Sequence, residues 1–219
     1  SLYANTTGAN NTSVGQSSLK ANTTGGNNTA VGRIALFACT QGGYNTAVGN
    51  DCLKTQTTAS YCTAVGDYAL ANNTAAYMAA FGAQALGENT TGEKNTGLGF
   101  RALRMNTTGI RNTAVGFDAM YTNTTGSYNI AFGNYALRLN TTANYNAAFG
   151  DYALASNTTG TQNTAVGDNA LIVCTTGQDN TAVGTNALYS MTGSYSTAMG
   201  RYANMLATGN SNTSFGYNA

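Results

Sequence analysis

One short string, Asn-Thr-Ala-Val-Gly, returns along the whole chain and limits its fold more than any other feature. Its closing glycine falls at Gly15, Gly32, Gly49, Gly66, Gly82, Gly99, Gly116, Gly133, Gly150, Gly167, Gly184, Gly200 and Gly216; nine of the spacings are 17 residues and three are 16. The unit reads N-T-A-V-G-x-x-A-L-x-x-N-T-T-G-x-x, position 1 being its first Asn. It is too short for a pair of helices and fits one coil of a parallel β-solenoid, two short strands joined by two tight turns. The expected fold is therefore all-β, a β-roll of 13 coils in which 1-219 form a single repeat array. The N-T-T-G segments at 106–109, 123–126 and 157–160 supply turn chemistry, with Gly free to take φ > 0 and Asn bonding nearby backbone. Two of the shortened spacings lose their residue in this segment, at 73–76 and 191–193, as expected if turns tolerate length change and strands do not.

The repeat explains an unusual composition. Asp, Glu, Lys and Arg make up only 8% of the residues, while there are 29 Asn, 36 Thr and 27 Gly and no Pro, Trp or His. Without His, Ser-His-Asp hydrolysis, Cys-His chemistry and imidazole-ligated zinc are excluded. A net charge of +1 with no basic cluster gives no means of neutralising phosphates, so nucleic-acid partners are not expected. No apolar run reaches the roughly 18 residues of a membrane span, and no charged-then-apolar leader opens the sequence. The apolar residues, 42% of the chain, fall at regular positions, which argues against disorder.

Stacking of coils places equivalent residues about 4.8 Å apart and turns each position into a column. Asn95, Asn112, Asn129, Asn146, Asn163 and Asn180 share position 1 and form an expected amide ladder. Within Thr-Ala-Val, Thr164 and Val166 fall on one face of the strand and Ala165 on the other; Ala170 and Leu171 are expected to split in the same way. A thin coil has one interior, so either the Ala or the Val column is left exposed or covered by something else. The Ala column suits close approach of another copy of the chain, which points to a homo-oligomer, with a trimer as the natural closed form. The array starts and stops in mid-coil without polar caps, and the expectation is an internal segment of a longer fibrous protein.

Stretches such as 112–120 and 180–188, N-T-A-V-G-x-x-A-L, resemble the N-S-V-A-I-G repeats of trimeric autotransporter adhesin heads, and more closely the repeats of bacteriophage tail fibres. That resemblance covers all the coils. It implies a left-handed parallel β-roll in a parallel homotrimer, serving as the shaft or head of a phage tail fibre that contacts a host surface. The alternatives are an exported bacterial adhesin and a self-assembling extracellular filament. The location implied is a virion tail fibre or the extracellular surface. No enzyme activity and no cofactor are expected.

The remaining residues refine this. Cys39 and Cys174 share the turn Asn column, Cys52 replaces the Ala at position 8, and Cys62 replaces the ladder Asn. No two are in one column of adjacent coils, so free buried thiols are expected, which favours assembly in a reducing compartment. Asp151 and Asp168 are neighbours in one column beside Asn134, the only weak candidates for a metal site; solvated turn carboxylates are the simpler account. Fourteen Tyr favour two variable columns. Tyr44, Tyr61, Tyr77, Tyr128, Tyr145 and Tyr195 precede the ladder Asn, and Tyr68, Tyr135, Tyr152 and Tyr202 lie two residues after the Gly. They are read as aromatic ladders that can also offer ring faces to cell-surface glycans. Regular Thr columns raise ice binding as a reading of another class, but Thr alternates with Val or Phe rather than with a second Thr.

Overall fold

The computed structural model describes residues 1–219 and contains no helix long and apolar enough to cross a membrane. The chain divides into two compact units, Ser1–Arg111 and Asn112–Ala219. Both are parallel β-solenoids with the 17-residue period, about twelve turns in all.

The first unit holds β1 (Thr12–Val14), β2 (Thr29–Val31), β3 (Thr46–Val48), β4 (Thr63–Val65), β5 (Ala79–Phe81) and β6 (Thr96–Leu98). The second holds β7 (Thr113–Val115), β8 (Ile130–Phe132), β9 (Ala147–Phe149), β10 (Thr164–Val166), β11 (Thr181–Val183), β12 (Thr197–Met199) and β13 (Thr213–Phe215). Consecutive strands pair in parallel and in register within each unit, as in Ala30↔Ala47 and Ala148↔Ala165. The 16-residue coils keep that register, with Ala64 opposite Ala80 and Ala182 opposite Ala198, so the turns absorb the missing residue.

Each coil contains one strand of three residues, where two strands were expected. The rest of the coil is turn, and its backbone conformation explains why. Besides Gly at position 5, every complete coil has non-glycine residues in the left-handed region at positions 7, 9 and 17. In the coil that starts at Asn129 they are Tyr135 (φ 59°), Leu137 (φ 50°) and Tyr145 (φ 60°). Left-handed L-residues cost roughly 1–2 kcal/mol each and cannot continue a strand. The neighbouring coils offset the cost by accepting the freed amides. The N–H of Tyr135 donates to the Phe117 carbonyl (2.9 Å), that of Leu137 to Ala153 (3.0 Å) and that of Tyr145 to Ser127 (3.2 Å).

This backbone also overturns the expected split of Ala170 and Leu171. Because Leu171 is left-handed (φ 54°), its side chain turns to the same side as Ala170 and both are fully buried. The Ala of Thr-Ala-Val is buried too, from Ala30 to Ala198, so the Ala column cannot receive another chain; the Val column faces outward instead. The interior of a coil is one Leu, two Ala and the two Asn of positions 1 and 12.

Glycine is required for different reasons at its two repeated places. Gly150 at position 5 has φ 135°, and a Cβ there would sit 2.5 Å from the Gly167 carbonyl oxygen. The turn glycine of N-T-T-G, expected at φ > 0, is not in the left-handed region. At Gly126 a Cβ would meet the Ala143 carbonyl oxygen and Asn123 Oδ1, each at 2.4 Å, so small size is what the turn uses. Ala takes this place at Ala59, Ala75 and Ala143.

Candidate functional site

Buried polar columns hold the coils in place and so position everything on the surface. In the second unit Asn129, Asn146, Asn163 and Asn180 each donate a backbone N–H to the Oδ1 of the Asn one coil before, beginning with Asn112, at 2.9–3.1 Å. Each also sends Nδ2 across its own coil to the position-15 carbonyl, as Asn146 does to Gly160 (2.9 Å) and Asn163 to Gly177 (2.8 Å). In the first unit Asn95 bonds Gly109 in the same way (2.7 Å). Position 1 therefore closes each coil as well as linking coils.

A second ladder was not foreseen. Position-12 Asn residues pass Nδ2 to the Oδ1 of the preceding coil, Asn106 to Asn89 and Asn140 to Asn123 at 2.7 Å, while also capping their own turn. Beside it, position-13 Thr hydroxyls donate to the next coil's Thr carbonyl, as Thr90 does to Thr107 (2.9 Å) and Thr158 to Thr175 (3.0 Å). The signal was in the N-T-T-G columns, whose first Thr recurs in every copy and whose Asn recurs in most.

All four cysteines are free and buried. Cys39 and Cys174 hold the turn as Asn would, with Sγ on the Gly42 and Gly177 carbonyls (3.4 and 3.7 Å). A thiol cannot also donate to the coil before, and the consequence is local. The two buried side-chain amide oxygens left without a partner are Asn22 Oδ1 and Asn157 Oδ1, one coil before Cys39 and Cys174. Cys62 donates to the Ala75 carbonyl (3.3 Å) and Cys52 to that of Ala64 (3.2 Å). Burial pushes the Cys52 thiol up to about 12 and those of Cys39 and Cys62 up to about 11, and raises Cys174 as well.

The outward surface has two kinds of candidate binding residue. Position 4 forms an apolar column, with Val14, Phe81 and Leu98 exposed in the first unit and Phe132, Phe149, Val166, Met199 and Phe215 in the second. Phe132 and Phe149 stack with ring centroids 5.4 Å apart. The tyrosines form the second kind. Tyr44, Tyr61 and Tyr77 stack in series at 5.1 and 5.4 Å, and Tyr128 stacks on Tyr145 at 5.1 Å. Tyr135 stacks on Tyr152 at 4.9 Å, with Phe117 edge-on to Tyr135; Tyr68 is exposed and lies under the Lys54 ammonium, 5.3 Å from its ring centre.

All ten tyrosines of these two columns occupy left-handed positions, with φ between 56° and 61°. Asn and Asp are the side chains that tolerate this conformation best, and both occur in the same columns at Asn169, Asn186 and Asp179. Tyrosine is a costly choice there, offset in part by stacking with the coil above or below.

Of the two carboxylates, Asp151 accepts from the backbone N–H of Asn134 one coil before (2.9 Å) and Asp168 from the side-chain amide of Asn169 (3.1 Å). No family model, curated protein or solved structure matches the chain.

Proposed function

We propose that this chain is a structural attachment fibre segment, a non-enzymatic shaft or head of a surface-contacting fibre assembled from parallel copies of itself. The observation that carries the reading is the apolar position-4 column left exposed in each unit, with large side chains at Phe81, Leu98, Phe132, Phe149 and Met199. A repeated apolar stripe of this kind is an interaction surface. A further copy of the same chain in register presents a matching stripe at the same spacing, and a threefold rotation would close that contact into the trimer proposed here. Packing through the Val and Phe column replaces the contact first expected of the Ala column.

Three further features support it. Successive repeats differ by no more than one residue in length, the pattern of a scaffold rather than of a catalytic cleft. Four free buried thiols fit assembly in a reducing compartment, as for a virion tail fibre, better than export to the cell surface as an adhesin. The exposed tyrosine stacks offer flat ring faces to cell-surface glycans.

Sedimentation velocity on the purified chain tests the assembly. Three chain masses are expected, falling to one when Phe132→Ser and Phe149→Ser are combined. A monomer for the unaltered chain at every concentration overturns the reading.

A further inference from the structure

One cleft in the first unit differs from the regular surface around it. Position 10 normally carries a large side chain, and in this unit the column reads Tyr3, Lys20, Phe37, Lys54, Ala71, Gly87 and Arg104. Two successive small residues open a gap between Lys54 and Arg104, three coils or about 14 Å apart along the column. The result is a cleft of about 320 Å³, floored by Ala71 and Gly87 and walled by Tyr68 and Gln84. That volume lies at the small end of ligand pockets.

The polar groups around it have distinct states. Arg104 is held in place, with Nε on Gln84 Oε1 (2.9 Å) and a guanidinium nitrogen 3.7 Å from Glu88 Oε1. Glu88 accepts from the Asn72 amide at 2.8 Å. Lys54 makes no ion pair; its ammonium rests over the Tyr68 ring. The cleft therefore combines a cation available for an anion, a fixed guanidinium, amide donors and acceptors, a carboxylate acceptor and an aromatic wall.

We propose that this cleft binds a pyranose ring bearing a carboxylate, an acidic sugar such as a hexuronate, with the carboxylate at Lys54 and the hydroxyls toward Glu88, Asn72 and Gln84. The aromatic wall of Tyr68 suits the C–H face of a sugar ring. Glu88 disfavours a phosphate or sulfate as the whole ligand, because it would set like charges together, while a hydroxyl donates to it. A neutral sugar leaves Lys54 unused. The unit as a whole favours an anion, with seven Lys and Arg against four Asp and Glu. In biological use the proposal rests on the attachment reading; the ligand class follows from the cleft itself.

The test is an NMR titration of the purified chain with glucuronate, glucose and acetate. Glucuronate is expected to give saturable shifts confined to the cleft at millimolar concentration, glucose to bind about tenfold more weakly, and acetate to give no saturable shift. Lys54→Met should remove the preference for glucuronate over glucose. Ala71→Tyr should abolish binding of both while leaving the fold intact, since the same column holds Tyr121 and Tyr189. Equal binding of glucuronate and glucose, absence of shifts, or binding unchanged in Ala71→Tyr overturns the proposal. The titration needs neither assembly nor a cell surface, so its failure is distinct from failure of the fibre reading.

Discussion

Residues 1–111 and 112–219 wind the same coil from different stock. The first unit carries seven cations against four carboxylates and three of the four cysteines; the second carries two cations against four carboxylates and nine of the fourteen tyrosines. Their buried seams differ as well. Position 1 of the first unit reads Asn11, Asn28, Asn45, Cys62, Met78, Asn95, while the second keeps Asn from Asn112 through Asn180 and is interrupted once, by Ser196, before Asn212. In the first unit the break at Cys62 and Met78, the shortened 73–76 turn and the Ala71–Gly87 cleft fall within two neighbouring coils. The unbroken run from Asn112 to Asn180 shows what the backbone needs. The interrupted coils at 62–94 show where the sequence departs from that need, and such departures are where binding sites are expected.

The largest difference should appear at alkaline pH. A thiol whose folded value is raised above its unfolded one stabilises the fold fully below the unfolded value, near 9.0, and that contribution is lost as pH rises through the folded value. Three such thiols act in the first unit and one in the second. Between pH 9 and about 11 the first unit should therefore weaken first. Iodoacetamide alkylation followed by peptide mapping reads each unit separately. Cys39, Cys52 and Cys62 should become reactive at a lower pH than Cys174, and all four should stay unreactive at pH 7. Simultaneous reaction of all four would mean that the units do not differ in this respect.

A middle-sized effect tests the seams directly. Asn146→Ala removes the acceptor for the Asn163 N–H, leaving that buried donor unpaired at a cost of about 1–3 kcal/mol, while the Gly160 carbonyl keeps its bond from Asn157 Nδ2. Cys39→Asn acts in the opposite sense. It supplies the missing donor to Asn22 Oδ1 and should stabilise the first unit by about 1 kcal/mol. Cys174→Asn should do the same for the second through Asn157 Oδ1. Urea unfolding followed by circular dichroism measures all three. If neither Cys→Asn change stabilises, the orphaned oxygens cost the fold nothing.

Much of this was legible in the chain. Period, turn position, tolerance of 16-residue coils and the position-1 ladder come from aligning the copies, because column identity survives any detail of coil shape. The inside–outside choice between Ala165 and Val166 was not legible, since alternation in a three-residue strand does not say which face meets the rest of the coil. The burial of Ala170 together with Leu171 was missed for a deeper reason. It depends on left-handed Leu, and propensity assigns that conformation to Gly, Asn and Asp. The cleft was present in the position-10 column all along; Ala71 and Gly87 look unremarkable until Lys54 and Arg104 are placed above and below them.

The smallest effect concerns the tyrosines, and it separates stacking from surface function. Tyr61 stacks on both Tyr44 and Tyr77, whereas Tyr145 stacks on Tyr128. A cross-strand aromatic pair contributes roughly 0.2–1 kcal/mol, so the loss of two pairs in Tyr61→Asn should exceed the loss of one in Tyr145→Asn. Asn relieves the left-handed backbone that Tyr strains, and this offsets part of both losses. Net changes should be within about 1 kcal/mol, measured by urea midpoint at constant slope. A double-mutant cycle across Tyr44 and Tyr61 isolates the pair from the backbone gain, because the backbone gain at each site cancels in the coupling. A measurable coupling at Tyr44–Tyr61 with near-neutral single changes would mean that tyrosine gains the fold almost nothing over asparagine. The exposed ring would then be retained for what it touches outside the chain.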